Sequence, residues 1–173
     1  MINKLRANYN LSNVLIRIFF VLSYVLYSWQ TSLAVATLLL GRQLAGGNNL
    51  LVALMTSAVL GTVIMFLLPL VTNIFLHLSR FYTVPRAEYT LLAHLFFTIY
   101  FVICGVLKLI NLATPILIVW GGILFPVLVS VGCIIWFYSV TAKLYFNNQT
   151  KPYYFRNLAI MYLVLIVVAE VVL

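Results

Sequence analysis

Apolar positions fall in five long runs, 14–40, 50–77, 91–110, 116–138 and 158–173, separated by short polar segments. A membrane-crossing helix needs about 20 mostly apolar residues. The pattern therefore predicts an all-α, polytopic transmembrane bundle of about five spans, with residues 1–173 forming one integral membrane domain. At about 1.5 Å per residue the first run would reach roughly 40 Å, longer than the hydrocarbon core. It is expected to tilt or to begin in the interface, with Arg17 reaching toward the headgroups. Trp29 and Gln30 interrupt this run, so one helix and a bent pair are both compatible with it. Pro69 predicts a kink in the second run, and Gly121-Gly122 and Pro126 interrupt the fourth. Residues 41–49 (GRQLAGGNN) and 111–115 read as turns. The segments 78–90 (LSRFYTVPRAEYT) and 141–157 (TAKLYFNNQTKPYYFRN) read as polar connections, with Pro85 expected to stop a helix.

Composition agrees. The 173 residues are 65% hydrophobic and 7% charged, with a mean hydropathy of +1.17, whereas soluble domains are roughly 45–50% apolar and about 25% charged. The net charge is +8, from ten Lys/Arg against two acidic residues, both Glu. The basic residues stand singly between apolar runs, without a basic helix face or an RNA-binding motif, which argues against nucleic acid. Their distribution gives an orientation instead. Lys4, Arg6, Arg17, Arg80, Arg86, Lys143, Lys151 and Arg156 fall on the N-terminal side, and only Arg42 and Lys108 on the other. The positive-inside bias then predicts a cytoplasmic N-terminus and an extracytoplasmic or lumenal C-terminus, facing a bilayer with anionic headgroups. Ala34-Val35-Ala36 has the small-x-small form of a signal-peptidase site, but the run containing it is too long for a signal segment, so an uncleaved first span is expected.

Candidate chemistry is sparse. Ala53, Ser57 and Gly61 recur every fourth residue, a small-residue face suited to close helix packing in lipid. Cys104 and Cys133 lie within apolar runs and read as small buried hydrophobes. His77 and His94 both fall near one boundary; interfacial hydrogen bonding is favoured there over a metal site, because Glu88 is the only acidic neighbour. Glu170 is costly within a span, and two readings stay open: an ion pair with Lys108, or contact with water at the helix end. Arg80, Arg86, Lys151 and Arg156 stand among Tyr and Phe. That pattern suits anionic lipid, the acidic loops of a membrane-protein partner, or plain interfacial anchoring. No metalloprotease, serine-hydrolase, P-loop or dinucleotide motif is present, so neither an enzyme nor a bound cofactor is expected.

Residues 50–173 resemble the Yip1-type family of five-span membrane proteins. The resemblance rests on His77-Leu78-Ser79-Arg80 closing the second run, a short polar loop, a third run starting near Leu91, closely spaced third and fourth runs, and a short C-terminus. It implies a cytoplasmic N-terminus and an opposite C-terminus. The short segment 1–13 is similar to that of compact bacterial relatives. The expected function is a non-enzymatic scaffold or accessory subunit that binds another membrane protein. The alternative is a small transporter or channel-like subunit whose kinked helices line a path. A lipid-modifying enzyme is the least favoured.

Overall fold

Among the described residues the apolar runs become five helices: α1 (Tyr9–Leu40), α2 (Asn48–Leu78), α3 (Arg86–Ala113), α4 (Leu124–Tyr145) and α5 (Lys151–Val172). The computed structural model describes the backbone of residues 9–40, 48–113 and 124–172 and the side chains of 13–33, 50–110 and 127–162. Lys4, Arg6, Arg42 and Gly121-Gly122, and the side chains of Trp120, Pro126 and Glu170, lie outside these residues. The architecture is all-helical, and no strand occurs among the described residues. Among the described residues four stretches, Asn13–Leu33, Leu50–Leu78, Arg86–Ile110 and Val127–Tyr145, are long and apolar enough to cross a membrane. The chain is accordingly a multi-pass membrane protein in character. α1 runs unbroken through Trp29 and Gln30. Its 32 residues amount to about 48 Å, well beyond a hydrocarbon core of about 30 Å.

α1 packs against both α2 and α3. These two also touch each other, and α4 packs against α3 and α5. The α2–α3 pair therefore has α1 on one side and α4 with α5 on the other.

The two polar connections are shorter than the sequence pattern suggests, because local caps replace solvent as partners for the backbone. α2 ends at Leu78, before Pro85 is reached. The Arg80 N–H donates to the His77 carbonyl at 3.0 Å and the Phe81 N–H to the Leu76 carbonyl at 2.9 Å. That pair of bonds is a Schellman closure, which needs a left-handed residue at its corner. Arg80 supplies it with φ 58°. Pro85 precedes the start of α3 instead of stopping a helix: its carbonyl accepts the Tyr89 N–H at 3.0 Å. Glu88 then lies in the first turn of α3, where the helix dipole favours a negative charge. α4 continues past Tyr138 to Tyr145 because Thr141 turns its hydroxyl inward and Lys143 lies in the last turn, the end at which the dipole favours a cation. α5 starts at Lys151, with the Tyr154 N–H donating to the Thr150 carbonyl at 3.0 Å and Pro152 in the first turn, where a missing N–H costs nothing.

These extended helices bring an aromatic cluster together at the loop end. The Tyr154 ring stacks on Phe146 at 4.1 Å and meets Phe81 and Phe75 at 5.8 and 6.3 Å. Its hydroxyl lies 2.7 Å from Thr141 Oγ1 and 3.2 Å from the Tyr89 hydroxyl. All three hydroxyl residues are buried, and burial pushes the Tyr154 hydroxyl up to about 12. Aromatic residues in these segments read from sequence as headgroup markers. Tyr82 and Tyr153 are 63% and 59% exposed, whereas Tyr154 is fully buried. Tyr154→Phe keeps the ring stacking but leaves the Tyr89 hydroxyl without the partner Tyr154 now provides. The expected cost is about 1–3 kcal/mol, read as a lowered melting temperature in detergent; an unchanged melting temperature would show that these hydroxyls do not stabilise the fold.

Candidate functional site

The small-residue face of α2 turns toward α1. Ala53, Ser57 and Gly61 are buried, and Ser57 Oγ donates to Ser32 Oγ of α1 at 2.8 Å. A Cβ placed on Gly61 would lie 3.0 Å from Tyr24 Cδ1. A second close approach, unmarked by any repeat in the sequence, comes from α3. There a Cβ on Gly105 would lie 2.8 Å from Leu26 Cγ and 3.2 Å from the Leu26 carbonyl carbon. α1 is thus seated between a glycine of α2 and a glycine of α3.

Below this wedge, Pro69 sets the polar chemistry. In a helix the Met65 carbonyl would accept from the N–H of residue 69, which proline lacks. His94 of α3 reaches that carbonyl: its Nε2 lies 3.1 Å from the Met65 oxygen and its Nδ1 2.9 Å from the Thr90 oxygen, and the neutral ring, with one N–H, donates to Met65 in its Nε2–H tautomer. The ring is buried and meets Phe20 of α1 edge-on at 5.3 Å. Thr72 and Thr90, also from α2 and α3, bring their hydroxyls to 2.9 Å. His94 is therefore a structural crosslink between helices. His77 is exposed and packs edge-on to Tyr82 at 5.7 Å. Among the described residues no three His, Cys, Asp or Glu side chains gather into a metal-binding group.

His94 also forms the floor of a polar pocket of about 280 Å³ between α1, α2 and α3. Arg17 and Asn13 enter it from α1, Asn73 from α2, and Arg86 and Thr90 from the start of α3. Arg86 is exposed at the mouth and Arg17 is half-buried. Arg17 Nε and Asn73 Oδ1 are both shielded from solvent without a hydrogen-bond partner among the described residues. Arg17 and Arg86 both line the cavity, and no acidic side chain lines it among the described residues. The carboxylate of Glu88, close by in sequence, accepts a hydrogen bond from the Tyr145 hydroxyl of α4 at 3.1 Å. Beside the pocket runs an apolar groove of about 380 Å³, bounded by Val14, Ile18, Leu22, Val21 and Met65, with Arg17 common to both.

The other basic residues have different settings. Arg80 and Arg156 are exposed, and Lys151 is partly so. Arg156 lies over the Tyr153 ring at 5.6 Å, and Lys151 Nζ donates to Asn148 Oδ1 at 3.0 Å. Lys108 donates to the Tyr27 carbonyl at 3.0 Å and sits 3.9 Å above the Tyr27 ring, so α1 supplies its contacts; Glu170, the other half of the expected pair, has its side chain outside the described residues. Cys104 and Cys133 are both buried thiols.

The chain matches no protein-family model, no curated protein and no solved structure.

The sequence pattern reads Arg17 as a snorkelling side chain and His94 as an interfacial one, and carries no mark at Asn73 or Gly105. A signal for His94 does exist in the sequence. Each intramembrane proline orphans the carbonyl four residues before it, so Pro69 calls for a donor near Met65.

Proposed function

We propose that this protein is a non-enzymatic accessory or scaffold subunit of a membrane, with five spans, a cytoplasmic N-terminus and the C-terminus on the opposite face, that binds another membrane protein. The orientation rests on the uneven distribution of basic residues, and the five-span reading fits the Yip1-type resemblance. The observation that carries the binding role is the meeting of both basic connections at one end. The Phe81 ring lies 4.7 Å from Phe146, and around this buried joint Arg80, Tyr82, Tyr153 and Arg156 remain exposed. A rigid base carrying arginines and aromatic rings is what anchor residues at protein interfaces require.

Arg80 offers a clean probe. Its left-handed conformation costs a non-glycine residue roughly 1–2 kcal/mol, so Arg80→Gly removes the charge without loss of fold stability. The triple variant Arg80→Gly, Lys151→Gln, Arg156→Gln leaves Arg86 and the pocket intact. It is expected to express and melt like the wild type in mild detergent, yet to lose most of the membrane protein that co-purifies with the wild type. Undiminished co-purification would reduce these residues to interfacial anchors. Orientation is checked by single cysteines at positions 82 and 148 in a background lacking Cys104 and Cys133, where an impermeant reagent applied outside the cell should label neither.

A further inference from the structure

The pocket between α1, α2 and α3 is electrostatically incomplete. Arg17 and Arg86 both line one cavity, with no acidic side chain among the described residues that line it, and two like charges beside one cavity favour an anion within it. Arg17 Nε is a buried donor and Asn73 Oδ1 a buried acceptor, each without a partner among the described residues. Both atoms are shielded from solvent, so a ligand reaches them as the two side chains turn into the cavity; one that satisfies both carries a negative oxygen for the guanidinium and a hydroxyl for the amide oxygen. Guanidinium groups bind phosphate oxygens through charge-assisted hydrogen bonds.

The apolar groove says where the rest of such a ligand goes. Val14, Ile18 and Leu22 lie at helical spacing along α1 and are 56%, 52% and 58% exposed. With Val21 and Met65 they line an apolar groove, and Arg17 lines both this groove and the polar pocket. The pocket itself lies where α1 and α3 enter their apolar stretches, at Asn13 and Arg86, which is headgroup depth for a helix that crosses the bilayer. A polar cavity joined through one arginine to an acyl-sized trough fits an amphiphile.

We infer that this is a specific binding site for an anionic phospholipid whose headgroup carries both a phosphate and a hydroxyl, as phosphatidylglycerol does. The phosphate lies between Arg17 and Arg86, the headgroup hydroxyl donates to Asn73, and one acyl chain follows Val14, Ile18 and Leu22. The site goes beyond the partner-binding role, because it uses neither Arg80, Lys151 nor Arg156.

Native mass spectrometry of the full chain in mild detergent, titrated with single lipids, tests the site. Phosphatidylglycerol should be retained about tenfold more tightly than phosphatidylcholine, and Arg17→Gln and Arg86→Gln should each abolish that preference, in keeping with the loss of a charge-assisted contact. Arg17→Lys should keep part of it, which separates loss of charge from loss of fold; Arg86, being exposed, can be replaced without disturbing packing. Phosphatidylmethanol has the same charge and no headgroup hydroxyl; it should bind more weakly than phosphatidylglycerol, and Asn73→Leu should make the two equal. Glycerol 3-phosphate added in excess should not displace the lipid. Equal retention of phosphatidylglycerol and phosphatidylcholine, or a preference that survives both arginine variants, overturns the site. Displacement by glycerol 3-phosphate would replace the lipid by a soluble phosphate ester, and equal binding of the two anionic lipids to the wild type would overturn the hydroxyl assignment.

Discussion

Gly105→Ala is expected to destabilise the protein by about 1–3 kcal/mol, and Gly105→Leu to prevent α1 from seating at all. The new Cβ would stand 2.8 Å from Leu26 Cγ and 3.2 Å from the Leu26 carbonyl carbon. The side chain can rotate away, but the backbone of α1 cannot, because α1 is held on its other flank by α2. At Gly61 the obstacle is the Tyr24 side chain, 3.0 Å away at Cδ1, which has a rotamer to yield, so Gly61→Ala should cost less. Gly132 has nothing within 4 Å of an added Cβ, and Gly132→Ala should gain about 0.5–1 kcal/mol from helix propensity alone. Melting temperatures in one detergent give the ranking directly. If Gly105→Ala and Gly132→Ala move the melting temperature in the same direction, close packing of α1 against α3 does not limit stability.

His94→Leu should cost about 1–3 kcal/mol, the usual penalty for a buried acceptor left without a donor. The mechanism makes a sharper claim than the magnitude. The Met65 carbonyl needs His94 only because Pro69 has no N–H. Pro69→Ala returns a donor within α2, so in that background His94→Leu should lose much of its effect. Interhelical hydrogen bonds in membrane proteins average about 0.6 kcal/mol and reach about 1.7, so a coupling of this size is the expected outcome of a double-mutant cycle. It can be measured by unfolding in mixed detergent micelles. Strict additivity of the two substitutions would mean that His94 acts through packing against Phe20 and not through Met65.

Much of the architecture was legible because it depends on solvent preference, a property of each residue summed over a window. Long apolar runs cannot stay in water, and a backbone in lipid must bond to itself, so helices of spanning length follow from composition and spacing. Boundaries were less legible. Residues 86–90 and 141–145 carry polar groups that read as loop, yet they are helical because Thr141, Tyr145 and Tyr89 find partners across the bundle. Polarity in a sequence does not say whether a hydroxyl meets water or another side chain. The aromatic segments show the same limit: Tyr153 and Tyr154 are neighbours in sequence, and only the helical turn decides that one faces outward and the other fills the core.

The sequence by itself determined the fold class, the apolar stretches and the small-residue face of α2, all of which follow from local periodicity. Only the tertiary structure decided that Gly105 meets Leu26, that His94 completes the carbonyl freed by Pro69, and that Arg17, Asn73 and Arg86 share one cavity. Each of these depends on the rotation and register of one helix against another. That choice is made by the fit of whole surfaces, and no window along a single chain contains it.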